Sequence, residues 1–262
     1  MPKTAPSGLT EADVASFIEH GFIRLDGAFS RELAQQGRDK LWAAMGLSPD
    51  KPEEWTQPVV RIGGMASPPF VAAANTPCLH CAYDALAGER RWIRPEGLGT
   101  FPIRFPSSEP PGDDGWHVDV SFGLDTPDFM EWRANVTSRG RALLMLFLFS
   151  DVGPDDAPTR IRAGSHMTIA RRLLPHGEAG LSLRELSADG YASTANCEEA
   201  LATGEAGTVY LCHPFLVHAA QPHRGTRPRF MAQPPLVPKG AFDPALPPSP
   251  VQIAIRRACG LV

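Results

Sequence analysis

Apolar positions along this chain change their period after about the first ninety residues. Val14, Phe17 and Ile18 recur at helical spacing behind Thr10, with Glu11 and Asp13 in the first turn and Gly21 past the last. That pattern predicts a short opening helix with an N-cap and a glycine stop. Phe22–Leu25 reads as a strand, Ser30 as the cap of a second helix carrying Leu33, Leu41, Trp42 and Met45 to Gly46, and Pro77–Ala87 as a third. Residues 49–69 are turn-rich. Strands are predicted over 99–105, 115–122, 142–149, 159–163, 207–212, 216–220 and 229–234, with helical segments at 167–174 and 197–203 between them. The run 142–149 is apolar at every position, which predicts burial on both faces. Seven prolines between Gln233 and Pro250 predict an extended segment over the surface, and 251–258 a closing helix.

Composition sharpens the fold class. With 27 prolines and 24 glycines in 262 residues, regular structure is interrupted too often for long helices, and short strands joined by turns, as in a β sandwich or barrel, fit better. A formal charge of −4 with no long block of one sign argues against nucleic acid as a partner. The start of the chain has no secretion-signal pattern and no apolar run reaches membrane-spanning length, so a soluble, cytoplasmic protein is expected. The five cysteines, an odd number, fit reduced thiols.

The most informative string is Gly115-Trp-His-Val-Asp-Val-Ser-Phe122. Residues two apart on a strand share a face, so His117 and Asp119 can offer an imidazole and a carboxylate to one metal ion. An iron(II) oxygenase needs a second imidazole, and the string from Gly207 to Phe230 supplies candidates in His213, His218 and His223. The same string ends in Arg227 and Arg229, either of which could grip the distal carboxylate of 2-oxoglutarate with two parallel hydrogen bonds. Spacing alone separates neither the histidines, since Arg224 follows His213 by the same interval as Arg229 follows His218, nor the two arginines.

His-x-Asp, then Ala163-Gly-Ser-His166, then a distal histidine followed eleven residues later by arginine, resembles the phytanoyl-CoA dioxygenase family of iron(II)/2-oxoglutarate oxygenases. The resemblance runs from the Leu9-Thr10-Glu11 opening through Gly21-Phe-Ile-Arg-Leu-Asp-Gly27 to the distal motif. It implies a mainly β fold with flanking helices, a double-stranded β-helix (jelly-roll, cupin-like), in one domain over 1–262. Within it 1–90 is largely helical, 97–236 the jelly-roll core, and 237–262 the proline-rich segment and last helix. It further implies iron(II) on His117, Asp119 and His218, 2-oxoglutarate held by Arg229, O2 as oxidant, and a small, lipophilic substrate oxidised with release of succinate and carbon dioxide.

Where members of the family often carry polar contacts to the cosubstrate, this chain has Val118 and Ala220, which leaves Arg104, Ser121, Thr159 and Arg162 as replacement donors. It also leaves open an inert binding module or a cupin-type metalloenzyme that does not use 2-oxoglutarate. Asp119 itself is present, which favours hydroxylation or a related oxidation over halogenation. Trp116, Phe122, Phe129, Met130, Trp132 and Arg162 are candidates for the substrate pocket or, equally, for the core. Cys78-Leu-His-Cys81 lacks a second pair and reads as two thiols on a helix. Gly164-Ser165-His166 reads as a turn rather than a hydrolase elbow.

Overall fold

A computed structural model describes residues 8–241 and 245–261; the expectation drawn from residues 1–7 lies outside them. The opening helix α1 (Glu11–His20) forms as its pattern predicts: Thr10 and Asp13 close a reciprocal capping box, and Gly21, at φ +83°, ends it. There follow β1 (Phe22–Leu25), α2 (Arg31–Met45), β2 (Val59–Ile62), α3 (Pro68–Ala74), α4 (Pro77–Ala87) and β3 (Phe101–Arg104). Then come β4 (Arg133–Ala134), β5 (Leu143–Leu148), β6 (Arg160–Arg162), α5 (Ser165–Leu173), β7 (Leu181–Ser182) and α6 (Leu183–Ser187). The chain finishes with β8 (Glu199–Leu201), β9 (Val209–Cys212), β10 (His218–Ala219), β11 (Met231–Ala232), β12 (Pro235–Leu236) and α7 (Pro250–Ala258). Among the described residues no helix is long and apolar enough to cross a membrane.

The strands make the two sheets of a jelly-roll. One runs β1-β9-β5-β11, with β12 also on β5, and continues through an Arg104–Arg229 bridge into the β3-β2 pair. The other runs β8-β6-β10, is extended by a His117–His218 bridge, and reaches the β4-β7 pair through a Phe122–Arg133 bridge. β5 explains why its sequence never alternates. Leu143, Met145 and Phe147 enter the main core between the layers, while Leu144, Leu146 and Leu148 enter a second cluster with Val152, Ile161 and Tyr210. Both faces of the strand are covered.

Four expectations need correction. Residues 197–203 contain β8, not a helix: helix-favouring Glu and Ala residues are overridden because Glu199 and Leu201 pair with Arg162 and Arg160 of β6. The 49–69 stretch holds β2 and the start of α3, the latter signalled by Ser67 followed by proline at the first helical position. Residues 115–122 do not form a continuous strand; their ladder is limited to the bridges at His117 and Phe122. The proline-rich tail does not merely cross the outside, because Leu236 is fully buried and pairs with Leu143.

Candidate metal and cosubstrate site

His117 and His218 face each other across their bridge, each backbone N–H donating to the other's carbonyl at 2.9 Å. Their rings lie 4.3 Å apart between centroids. In both, Nδ1 sits 3.0 Å from the carbonyl oxygen two residues earlier, Gly115 O and Leu216 O. A carbonyl can only accept, so each Nδ1 carries the proton and each Nε2 is left with its lone pair free. His218 Nε2 is buried and has no hydrogen-bond partner. Asp119 Oδ1 stands 3.8 Å from it. One ligand atom from each of His117, Asp119 and His218 lies within 4.8 Å of the other two.

The electrostatics suit a divalent metal. Burial, reinforced by His117, pushes the His218 pKa down to about 4, so the imidazole is neutral near pH 7, as a ligand must be. Burial alone would raise the Asp119 pKa, but neighbouring positive charge, chiefly Arg141 at 3.0 Å, outweighs it and holds the carboxyl below its usual range. Two imidazoles and one carboxylate, gathered on one side, form the donor set of an iron(II) site with positions left open. The residues present fit that ion.

The competing histidines lie outside the cluster: His213 is committed elsewhere, whereas the buried His223 Nε2 has no hydrogen-bond partner among the described residues. His213 accepts from Phe215 N–H at Nδ1 and donates from Nε2 to Val251 O, which uses both nitrogens. His223 accepts from Gly225 N–H at Nδ1 and is absent from the cluster.

A cavity of about 350 Å³ opens between the sheets beside His117 and His218. Arg229, Met231, Thr100, Pro102 and Arg104 line it from one sheet, and Thr159 and Ala220 from the other. Arg104 and Arg229 are both buried, with their backbones paired at 3.1 and 2.8 Å. Arg229 donates to Ala157 O and Pro102 O and keeps Nε without a partner; Arg104 keeps Nε and Nη1 free and takes Asp113 with Nη2. Burial and the neighbouring Arg104 push the Arg229 pKa well down, so this cation gains from acquiring an anion.

Other predicted residues lie elsewhere. Arg227 is exposed and lines a separate cleft with Trp42, Trp55 and Phe230, because it sits at the end of a bend over 225–227, before the bridge at Arg229 begins. Ser121 spends its hydroxyl on Arg139 O. Arg162 donates to Tyr191 O and Thr194 Oγ1 and, at 4.0 Å, stacks on Trp116, whose ring also carries Arg160 at 4.6 Å. Phe122 lies under Arg139, and Trp132 stacks on Phe129 while its Nε1 donates to Thr126 O. Of these aromatic candidates Phe129 lines the cavity, Trp132 packs edge-on against Phe129, and Trp116 and Phe122 are not part of the lining. Reading the sequence missed Arg61, Thr100, Asp113, Arg141 and Gln233. A lone arginine inside the Val-Val-Arg-Ile run of β2 is the one signal that could have pointed to any of them.

Residues 19–231 match the family described as Phytanoyl-CoA dioxygenase (PhyH). No curated protein matches the chain in sequence. Among solved structures, HygX from Streptomyces hygroscopicus with nickel and 2-oxoglutarate bound is similar at 18% identity, covering 86% of each chain with a TM-score of 0.56. EctD from S. alaskensis, with 2-oxoglutarate and 5-hydroxyectoine, is 21% identical over 90% of this chain and 77% of its own, at 0.58. SnoK, a non-heme alpha ketoglutarate dependent carbocyclase from nogalamycin biosynthesis, is 17% identical over 89% and 85%, at 0.55. At these identities it is the structural likeness that shows the shared fold.

Proposed function

The chain belongs to the phytanoyl-CoA dioxygenase family, and from that premise we propose that His117, Asp119 and His218 hold iron(II) and that Arg229 grips the distal carboxylate of 2-oxoglutarate. The protein is an iron(II)- and 2-oxoglutarate-dependent oxygenase acting on a small molecule. Iron(II) held there would activate O2, the oxidant: 2-oxoglutarate would give succinate and carbon dioxide while the substrate is hydroxylated or otherwise oxidised, R–H becoming R–OH in the hydroxylation case.

What this chain contributes is binding and orientation. The observation that carries the assignment is the pair of Nδ1–carbonyl bonds, which aim two free Nε2 atoms at the Asp119 carboxylate. Arg229 stays oriented through Pro102 O and Ala157 O while its Nε remains available. Arg104 and the Thr159 hydroxyl line the same cavity beside Ala220 and take over the polar contacts that Val118 and Ala220 do not make. Apolar side chains around the ligands, among them Val118, Val120 and Val217, are buried and keep bulk water from the reacting centre.

The test is anaerobic addition of 2-oxoglutarate to the iron(II)-loaded protein, followed by succinate measurement once air is admitted. Chelation should give a visible metal-to-ligand band in the wild type that is absent in His117→Ala and Asp119→Ala. In Arg229→Lys the 2-oxoglutarate affinity should fall by roughly tenfold or more, since one point charge replaces a bidentate fork. Equal bands and equal succinate in all four proteins would overturn the assignment.

A further inference from the structure

The cavity beside the histidine pair carries more positive charge than its own carboxylates neutralise. Arg61, Arg104 and Arg229 line it with Asp113 as the facing carboxylate, and the Arg141–Asp119 ion pair outside the lining adds no net charge. Three guanidiniums against one carboxylate is the opposite balance from the chain as a whole, whose formal charge is −4. Iron(II) and doubly ionised 2-oxoglutarate cancel one another, so loading both leaves the surplus where it was.

Geometry says where that surplus is available. Asp113 is shared: both its oxygens lie 2.8 Å from Arg104 Nη2, and it also contacts Arg61. Arg104 is 3% exposed, whereas the Arg61 side chain is 55% exposed. The buried pairing is the stronger, because solvent screens the other, so Asp113 can stay on Arg104 while Arg61 changes partner. Thr100 and Gln233, joined by a 2.8 Å backbone bond, line the same cavity, and neither side chain has a hydrogen-bond partner among the described residues. Phe129 and Leu183, with Pro102, Ala220 and Met231, supply the apolar part of the lining.

We propose that the substrate oxidised here is a small molecule bearing an oxyanion, a carboxylate or a phosphate, held by Arg61 at the cavity mouth. Thr100 and Gln233 hydrogen-bond its polar groups, and Phe129 and Leu183 cover its apolar part. This narrows the lipophilic substrate expected from the sequence, and it rests on the oxygenase reading above. A cavity lined by one sign of charge also gathers such an ion from solution.

The experiment uses wild-type protein loaded anaerobically with iron(II) and 2-oxoglutarate. It is titrated with matched probes, hexanoate against hexanamide and phenyl phosphate against phenol, and perturbation of the metal-to-ligand band is followed. At least one anion should bind roughly tenfold tighter than its neutral partner. That preference should weaken in high salt, survive in Arg61→Lys and vanish in Arg61→Gln; which pair responds distinguishes carboxylate from phosphate. Neutral probes binding as tightly as the anions, no anion binding at all, or a preference that persists in Arg61→Gln each overturn the proposal. A band that never forms with 2-oxoglutarate sinks the oxygenase reading itself, whereas a normal band with no anion preference sinks this inference alone.

Discussion

Arg141 Nη1 lies 3.0 Å from Asp119 Oδ2, while the other carboxylate oxygen, Oδ1, faces His218 Nε2 at 3.8 Å. The two oxygens are therefore divided between a guanidinium and the metal-facing side of the cluster. A closed turn fixes the guanidinium's root: Arg141 N–H donates to Ser138 O, and Ser138 Oγ donates back to Arg141 O at 2.7 Å. The next residue is buried and leads into β5, so the turn is anchored to the central strand of its sheet.

Replacing Arg141 with Gln should loosen the metal without touching it. Asp119 would lose its charged partner, and partners of that kind are worth about 10- to 100-fold in metal affinity. Equilibrium dialysis with nickel(II) or iron(II) should show a dissociation constant raised by about tenfold, and Arg141→Lys should recover part of the loss. Identical affinities in wild type and Arg141→Gln would show that Asp119 orients itself unaided.

His117 and Asp119 were legible as a pair because a period of two is written into the chain itself. His218 was not separable from His213 and His223 by spacing, because what distinguishes them is tertiary: Val251, far along the chain, takes the Nε2–H of His213. Arg227 and Arg229 looked equivalent for the same reason, and the bend over 225–227 followed by the Arg104–Arg229 bridge gives them to different cavities. The aromatic residues nearest the His117 motif suggested a substrate pocket by proximity in sequence. The cavity wall instead comes from β2, β3 and the chain around β11, which only sheet closure brings beside the metal cluster. β8 was misread because helix propensity is a weak prior against a ladder to β6.

Acid should destabilise this protein through His166 and His213, whose rings lie 4.8 Å apart beneath the helical layer. Nε2 of each lies near a backbone carbonyl, Ile18 O for His166 and Val251 O for His213, which ties α5 to α1 and β9–β10 to α7. Burial pushes the His166 pKa down to about 4, and burial with His166 alongside lowers that of His213 well below its usual value. Unfolded histidine titrates near 6.5, so between about pH 6.5 and 4 the unfolded chain binds more protons and stability falls as pH falls. For His166 the full window is worth about 3 kcal/mol, and nothing is lost above pH 7. Urea melts at pH 7.5 and 5 should show a smaller pH difference in His166→Gln than in wild type; equal differences would remove His166 from the account.

Gly37→Ala sets two effects of opposite sign against each other. Gly37 lies inside α2, where alanine is favoured over glycine by about 1 kcal/mol. A Cβ there would come within 2.6 Å of the Phe149 ring, and that ring is fully buried against Phe29 at 5.0 Å and Phe70 at 5.5 Å. It cannot swing aside without disturbing both, and overpacking of this kind costs about 1–3 kcal/mol. The clash should win, leaving Gly37→Ala less stable than wild type by about 1 kcal/mol in denaturant melts. In a Phe149→Leu background, where the ring edge is gone, the same substitution should become neutral or stabilising. A more stable Gly37→Ala single variant would mean that α2 shifts away from β5 at little cost and that this contact does not fix the helix against the sheet.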